Sequence, residues 1–197
     1  MKEIKITSEG FIINGFLKVD RIISTLPLNE IPGILSPPPP SDVLNAASRL
    51  DFNSVLIVGI GLKRKAPLQH WVYVPDKRII FHRFAWISNY LPKPPKDKAS
   101  LIAEITLPPR REINVEDLIE ETKKDFIELG VISEEEIEVI RYWFNKYGYP
   151  IYTRTHSDDR EIIMKYLSEI GIQTFGRWGN WHYWNTDVIF QKSIEIS

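Results

Sequence analysis

Residues 175–187 read Phe-Gly-Arg-Trp-Gly-Asn-Trp-His-Tyr-Trp-Asn-Thr-Asp and form the densest concentration of potential chemistry in the chain. The pattern is the end of a strand, a glycine-containing turn with one fixed positive charge, and the start of a helix capped by Asn185. A helix N-terminus offers unpaired N–H groups and a partial positive charge, which suits a phosphate or a polarised ring carbonyl. Arg177 adds a guanidinium able to make a bidentate contact to a pyrophosphate. Trp178, Trp181, Trp184 and Tyr183 together can flank a planar ring. On physics alone the simpler reading is that these aromatics are core bulk and that Arg177 is salt-bridged.

Other reactive side chains give less. His70, His82, His156 and His182 show no metal-ligand spacing, so a metal site is not expected. His156 lies in a polar loop, Thr153–Asp158, as a solvated residue would. Ser24 and Ser157 lack a nucleophile elbow, and no hydrolase triad is visible. Gly59-x-Gly61 follows an apolar run but has Arg64 in place of a third glycine and no amphipathic helix after it. It reads as strand packing and not as a phosphate loop. Lys63-Arg64-Lys65 and Arg110-Arg111 read as loop charges, and Glu134-Glu135-Glu136 favours a helix start electrostatically.

The elements that must position these residues follow from periodicity and turn chemistry. The first segment reads as short strands: Ile4 and Ile6 alternate with charges, Glu9-Gly10 and Asn14-Gly15 supply turns, and Arg21–Thr25 is a buried-type strand. Ser36–Pro40 is an extended surface connection. Ser54–Leu62 is a continuous apolar strand, and 70–74 with 79–84 reads as an antiparallel hairpin; Leu101–Thr106 is a further strand. Three helices are expected next. The first is capped by Asn114 and ends at Gly130. The second is opened by a Ser133/Glu136 capping box, carries Ile137, Ile140 and Phe144 on its face and stops before Gly148. The third is capped by Ser157, with Ile162, Ile163, Tyr166, Leu167 and Ile170 as its stripe. A short strand at 172–175 and a final helix from Asn185, with Val188 and Ile189 inward, complete the chain.

The 197 residues, 43 % hydrophobic with a formal net charge of −1, are enough to bury a substantial interior and give no reason to expect nucleic acid or an anionic membrane as partner. There is no cysteine, which excludes disulfides, thiolate metal sites and a cysteine nucleophile. No apolar run reaches membrane-spanning length and the first ten residues are too charged for a signal peptide, so a cytoplasmic setting is expected. Two methionines with abundant Ile, Glu and Lys hint at a thermophilic source.

Segments of the chain resemble, in order, a superfamily of FAD-dependent enzymes: the UDP-galactopyranose mutases and the protoporphyrinogen and amine oxidases. Residues 176–187 resemble its G-R-x-G-x-x-x-Y-x-x-x-D signature. Val19–Pro27 looks like its D-x-V-I-x-T-x-P strand. Phe81-His82-Arg83-Phe84 and Leu101–Glu104 look like its Arg strand and the Glu strand paired to it. Tyr149-Pro150-Ile151-Tyr152 looks like its Y-P-V/I segment. The resemblance implies an α+β fold, with an antiparallel-sheet substrate domain at 31–170 (strands 54–106, helices 115–170). It also implies a partial FAD-binding substructure made by the chain ends, 1–30 and 171–197. Gly176, Arg177, Gly179, Thr186, Asp187 and Val188 would contact the flavin; Arg83, Tyr152 and Tyr183 would face the substrate. Asn185-Thr186 stands where the mutases have Asp-Met, and the tryptophans are unusual for them, which points to a looser oxidoreductase relative. The family's strand-G-x-G-x-x-G-helix unit is not found in these residues, so FAD would be held only together with a partner chain carrying that unit. Self-association, or a cofactor-free interaction protein derived from the fold, is the alternative.

Overall fold

Strand and helix propensities act first over short distances. The computed structural model describes residues 1–109 and 113–196, so the Arg110-Arg111 reading lies outside the described residues. In chain order the elements are β1 (Ile4–Thr7), β2 (Gly10–Ile13), β3 (Leu17–Val19), β4 (Ile22–Ser24), β5 (Leu35–Ser36), α1 (Ser41–Arg49), β6 (Asp51–Leu62), β7 (Trp71–Tyr73), β8 (Arg83–Trp86) and β9 (Ala99–Leu107). After these come α2 (Val115–Glu128), β10 (Ile137–Ile151), α3 (His156–Glu169), β11 (Ile172–Thr174), α4 (Gly176–Gly179) and α5 (Thr186–Ser193). The fold is α+β, as the sequence predicts. Among the described residues no helix is long and apolar enough to cross a membrane.

The chain divides into two units, residues 1–52 with 149–197, and residues 53–148. The first of these units includes both chain ends together with α1 and α3.

In the first unit the strand order is β3-β2-β1-β5, with β1 antiparallel to β2 and parallel to β5. Asn14 and Gly15 both take positive φ, 52° and 81°, and Phe16 N–H closes the turn on Ile13 O at 3.2 Å, so Asn14–Phe16 turns β2 into β3. Separately, β4 pairs in parallel with β11, Ile22 opposite Ile172 and Ser24 opposite Thr174. Helix α1, which the sequence reading passes over, follows Pro40 and buries Val43, Ala46 and Ala47. Its Arg49 donates from Nε to the Asp159 carboxylate of α3 at 2.9 Å and binds it again through Nη2.

The second unit is a five-stranded sheet in the order β10-β6-β9-β8-β7. Along β9, Ala99, Leu101, Ala103, Ile105 and Leu107 alternate inward with clean period two. Against this face lies α2, whose Asn114 accepts the Glu116 N–H as expected of an N-cap. Phe126, fully buried on α2, stacks on Phe81 at 4.3 Å between centroids and meets Phe84 edge-on at 5.3 Å. Truncating Phe126 to alanine would cost about 3–5 kcal/mol, the usual range for a buried aromatic. The hairpin at 70–84 exists with a shorter ladder than its sequence suggests: β7 pairs with β8 over Trp71–Tyr73 and Arg83–Ala85, and residues 79–82 lie outside the strands.

The expected helix over 133–148 is a strand. The capping box is real, with the Ser133 N–H donating to Glu136 Oε2 at 2.9 Å, but it closes a single 3₁₀ turn at Glu134–Glu136. The chain then runs extended for 15 residues as β10. Ile137, Ile140 and Phe144 mimic a helical stripe, but β10 is an edge strand exposed on both faces, so no period-two signal marks it. The glycines of β6 are packing residues, as expected: a Cβ on Gly59 would lie 2.9 Å from Trp143 Cζ3, and one on Gly61 2.8 Å from Val139 Cγ1.

Candidate functional site

Strand β11 delivers the chain into the Gly-Arg turn. Gly176 takes φ +80°, a backbone that an L-residue adopts only at a cost, where α4 begins. Gly179 brings the helix backbone against β4: a Cβ there would lie 2.6 Å from Ser24 O. The approach is fixed by Phe175 N–H donating to Ser24 O at 2.8 Å and Leu28 N–H donating to Trp178 O at 3.0 Å.

Beyond α4 the loop is tied from several sides. Trp181 is fully buried with φ +48°, an uncommon backbone for a bulky residue, and its ring meets Trp178 and Phe52 edge-on. Arg160 Nε donates to Asn180 O at 2.6 Å, and His156 Nε2 lies 3.0 Å from Trp181 O. His156 is therefore a buried loop-holder and not the solvated residue its polar surroundings suggest.

Arg177 does not stand free. Its Nε and Nη2 both donate to Trp184 O, at 2.9 and 2.7 Å, and its guanidinium lies 4.6 Å from the Tyr183 ring centre. This fork fixes the residue just before the Asn185 cap and so sets where α5 begins. Asn185 occupies the cap position without a side-chain bond to the first-turn amides. In the first turn Thr186 and Asp187 are exposed and Val188 is half-buried. An electron-rich ring carbonyl or an anion is the kind of acceptor to which such amides donate.

Tyr152 and Tyr183, distant in sequence, come together. Tyr183 N–H donates to Tyr152 Oη at 2.8 Å, and that hydroxyl is 3.3 Å from His182 Nδ1. Tyr149 lies 5.5 Å from Tyr183, ring to ring. Burial, then the charges of Arg160, His156 and Lys192, hold the His182 imidazole below its ordinary value. The sequence reading assigns His182 no role, because its partner lies thirty positions away with no local motif. Gly176, Arg177, Gly179, Tyr152, Tyr183 and the Thr186–Val188 turn all belong to the first unit.

Arg83 belongs to the second unit. It stands opposite Glu104 in the β8–β9 register, its Nε donating to Glu104 Oε2 at 2.9 Å, and stacks 4.7 Å over Trp71. His82 Nε2 is 3.7 Å from Glu104 Oε1. Burial pushes the His82 imidazole below its ordinary value; Glu104 opposes this and Arg83 adds to it.

No family model and no curated protein matches the chain. Solved structures do. A reduced UDP-galactopyranose mutase matches at TM-score 0.87 and 22 % identity, over 99 % of this chain and 44 % of that one. A protein from Exiguobacterium sp. 255-15 that carries the name protoporphyrinogen oxidase matches at 0.69 and 15 %, over 97 % and 46 %. The CLA-producing fatty acid isomerase of P. acnes matches at 0.69 and 12 %, over 99 % and 45 %. At these identities the likeness is one of fold, and the chain spans about half the length of each of these proteins.

Proposed function

We propose that this chain is the substrate domain and the C-terminal side of the FAD site of a flavin-dependent oxidoreductase or mutase. The rest of the cofactor site would come from polypeptide outside these 197 residues that bears a G-x-G-x-x-G unit. The observation that carries the reading is the fork of Arg177 on Trp184 O, which fixes the start of α5 and leaves its first turn without a side-chain cap. The fold shared with a UDP-galactopyranose mutase supports it.

In this reading Gly176 and Gly179 shape the turn, and Thr186, Asp187 and Val188 contact the ribityl or ring region. Arg177 acts by holding the loop, so its contribution is positioning and a fixed positive charge. Tyr152 and Tyr183 line the substrate side with His182 beside the Tyr152 hydroxyl, and Arg83 adds a cation to the sheet domain. Bound, the flavin would supply the hydride or covalent chemistry.

A second reading rests on the same contacts. Arg177 and Arg83 are both engaged, by Trp184 O and Glu104, and Trp181 is core; a cofactor-free interaction protein would use them so. The test is a pull-down from the native organism with absorbance read in the flavin bands. A yellow complex holding a second, G-x-G-x-x-G-bearing chain supports the first reading. A colourless protein without such a partner sinks it.

A further inference from the structure

β10 is the outer strand of its sheet and 15 residues long. At its middle three consecutive aromatics, Tyr142, Trp143 and Phe144, are 49, 55 and 45 % exposed. A long edge strand with apolar side chains on both faces is a template for another strand. Proteins that must avoid such pairing place Pro, a bulge or clustered Lys there. Between Ile137 and Tyr149 β10 has no proline, and its charges are Glu138, Arg141 and Lys146.

Those charges select the occupant. We infer that β10 pairs antiparallel with β10 of a second copy of this chain, about a two-fold axis at Tyr142. An axis perpendicular to the sheet keeps each side chain on its own face. A strand that pairs with itself must therefore centre on a residue and not between two, because neighbours point to opposite faces. Centring on Arg141 sets that guanidinium against its own copy, a like-charge pair directly opposite, which is destabilising. Centring on Trp143 sets Lys146 against Ile140 and Glu138 against Gly148. Centring on Tyr142 sets Glu138 against Lys146 twice over, Ile140 against Phe144, and Arg141 against the Trp143 ring. Of these three registers it alone sets opposite charges against each other, with Val139 then facing Asn145. Glu138 also takes Lys98 Nζ at 3.1 Å on Oε1, so the partner's lysine would extend an existing ion pair. The inference stands apart from the flavin reading, since it uses only the sheet edge.

The chain has no cysteine, so single cysteines report register without background. Full-length Tyr142→Cys should oxidise to a disulfide-linked dimer, because directly opposite residues have Cβ atoms about 4.5–5.5 Å apart. Phe144→Cys, facing Ile140 of the copy, should not. In sedimentation velocity over a concentration series the unaltered chain should dimerise reversibly. Lys146→Glu, which leaves the Lys98–Glu138 pair intact, should raise the dimer Kd about tenfold or more. The Glu138→Lys/Lys146→Glu exchange should restore it, with circular dichroism confirming that each variant is folded. A chain that stays monomeric at every concentration overturns the proposal, as does equal cross-linking of Tyr142→Cys and Phe144→Cys. A dimer indifferent to both charge changes overturns it too.

Discussion

Gly176→Ala and Gly179→Ala lie three residues apart on one turn and test opposite physics. At Gly179 the new Cβ would sit 2.6 Å from Ser24 O, about 0.8 Å inside ordinary van der Waals contact at 3.4 Å. The obstacle is backbone, so no rotamer relieves it. Either α4 or β4 must move, which loosens the Phe175 N–H bond to Ser24 O and the Leu28 N–H bond to Trp178 O. Overpacking of this kind costs about 1–3 kcal/mol, and lost hydrogen bonding about 1 kcal/mol more. The helix preference of alanine over glycine returns less than about 1 kcal/mol in so short a helix. A net loss of about 2 kcal/mol is expected. At Gly176 nothing lies within 4 Å of a Cβ, and the whole penalty is φ +80°, about 1–2 kcal/mol. The assay is urea unfolding with hydrogen exchange read at the Phe175 and Leu28 amides. Gly179→Ala should speed exchange at both amides within the folded state, whereas Gly176→Ala should lower global stability and leave their relative protection unchanged. If Gly179→Ala is neutral, or spares both amides, the tight approach of α4 to β4 is wrong.

Arg177→Lys keeps the charge but loses the fork, and should destabilise the first unit by about 1–2 kcal/mol, with exchange rising at the first-turn amides of α5 by NMR. Arg49→Ala removes the guanidinium from a nearly fully buried Asp159 and should lower the urea midpoint, by less than breaking a fully buried pair because Arg49 is half-exposed. Burial pushes the Asp159 carboxyl up, but Arg49, Thr155 and His156 outweigh it and hold it below its ordinary value. Its contribution is therefore present above the unfolded carboxylate range and lost as pH falls through the lower folded value; in Arg49→Ala that acid loss should begin at higher pH. Asp76, bonded to the Arg78 side chain and N–H, should titrate at about 2 by NMR; Arg78→Ala should return it towards the ordinary value of about 3.9.

What the sequence determined by itself was local. The Asn-Gly hairpin, the Asn114 cap of α2, the apolar run of β6 and the alternation of β9 each carry their cause within a few residues, and each formed where expected. Helix α3 formed two residues early, with Thr155 and not Ser157 as its cap, and α1 had a readable stripe in Val43, Ala46, Ala47 and Leu50 that the preceding prolines obscured. β10 was decided by tertiary structure. Its capping box and three-and-four spacing favour a helix locally, yet its β-branched and aromatic content suits a strand, and pairing beside β6 settles the competition. The candidate site divides the same way. Gly176, Arg177 and Gly179 are contiguous and visible as a motif. The Tyr152–His182–Tyr183 contacts and the Arg177–Trp184 fork exist only once the chain has folded, because a side chain's hydrogen-bond partner depends on distances in space that spacing along the chain does not encode.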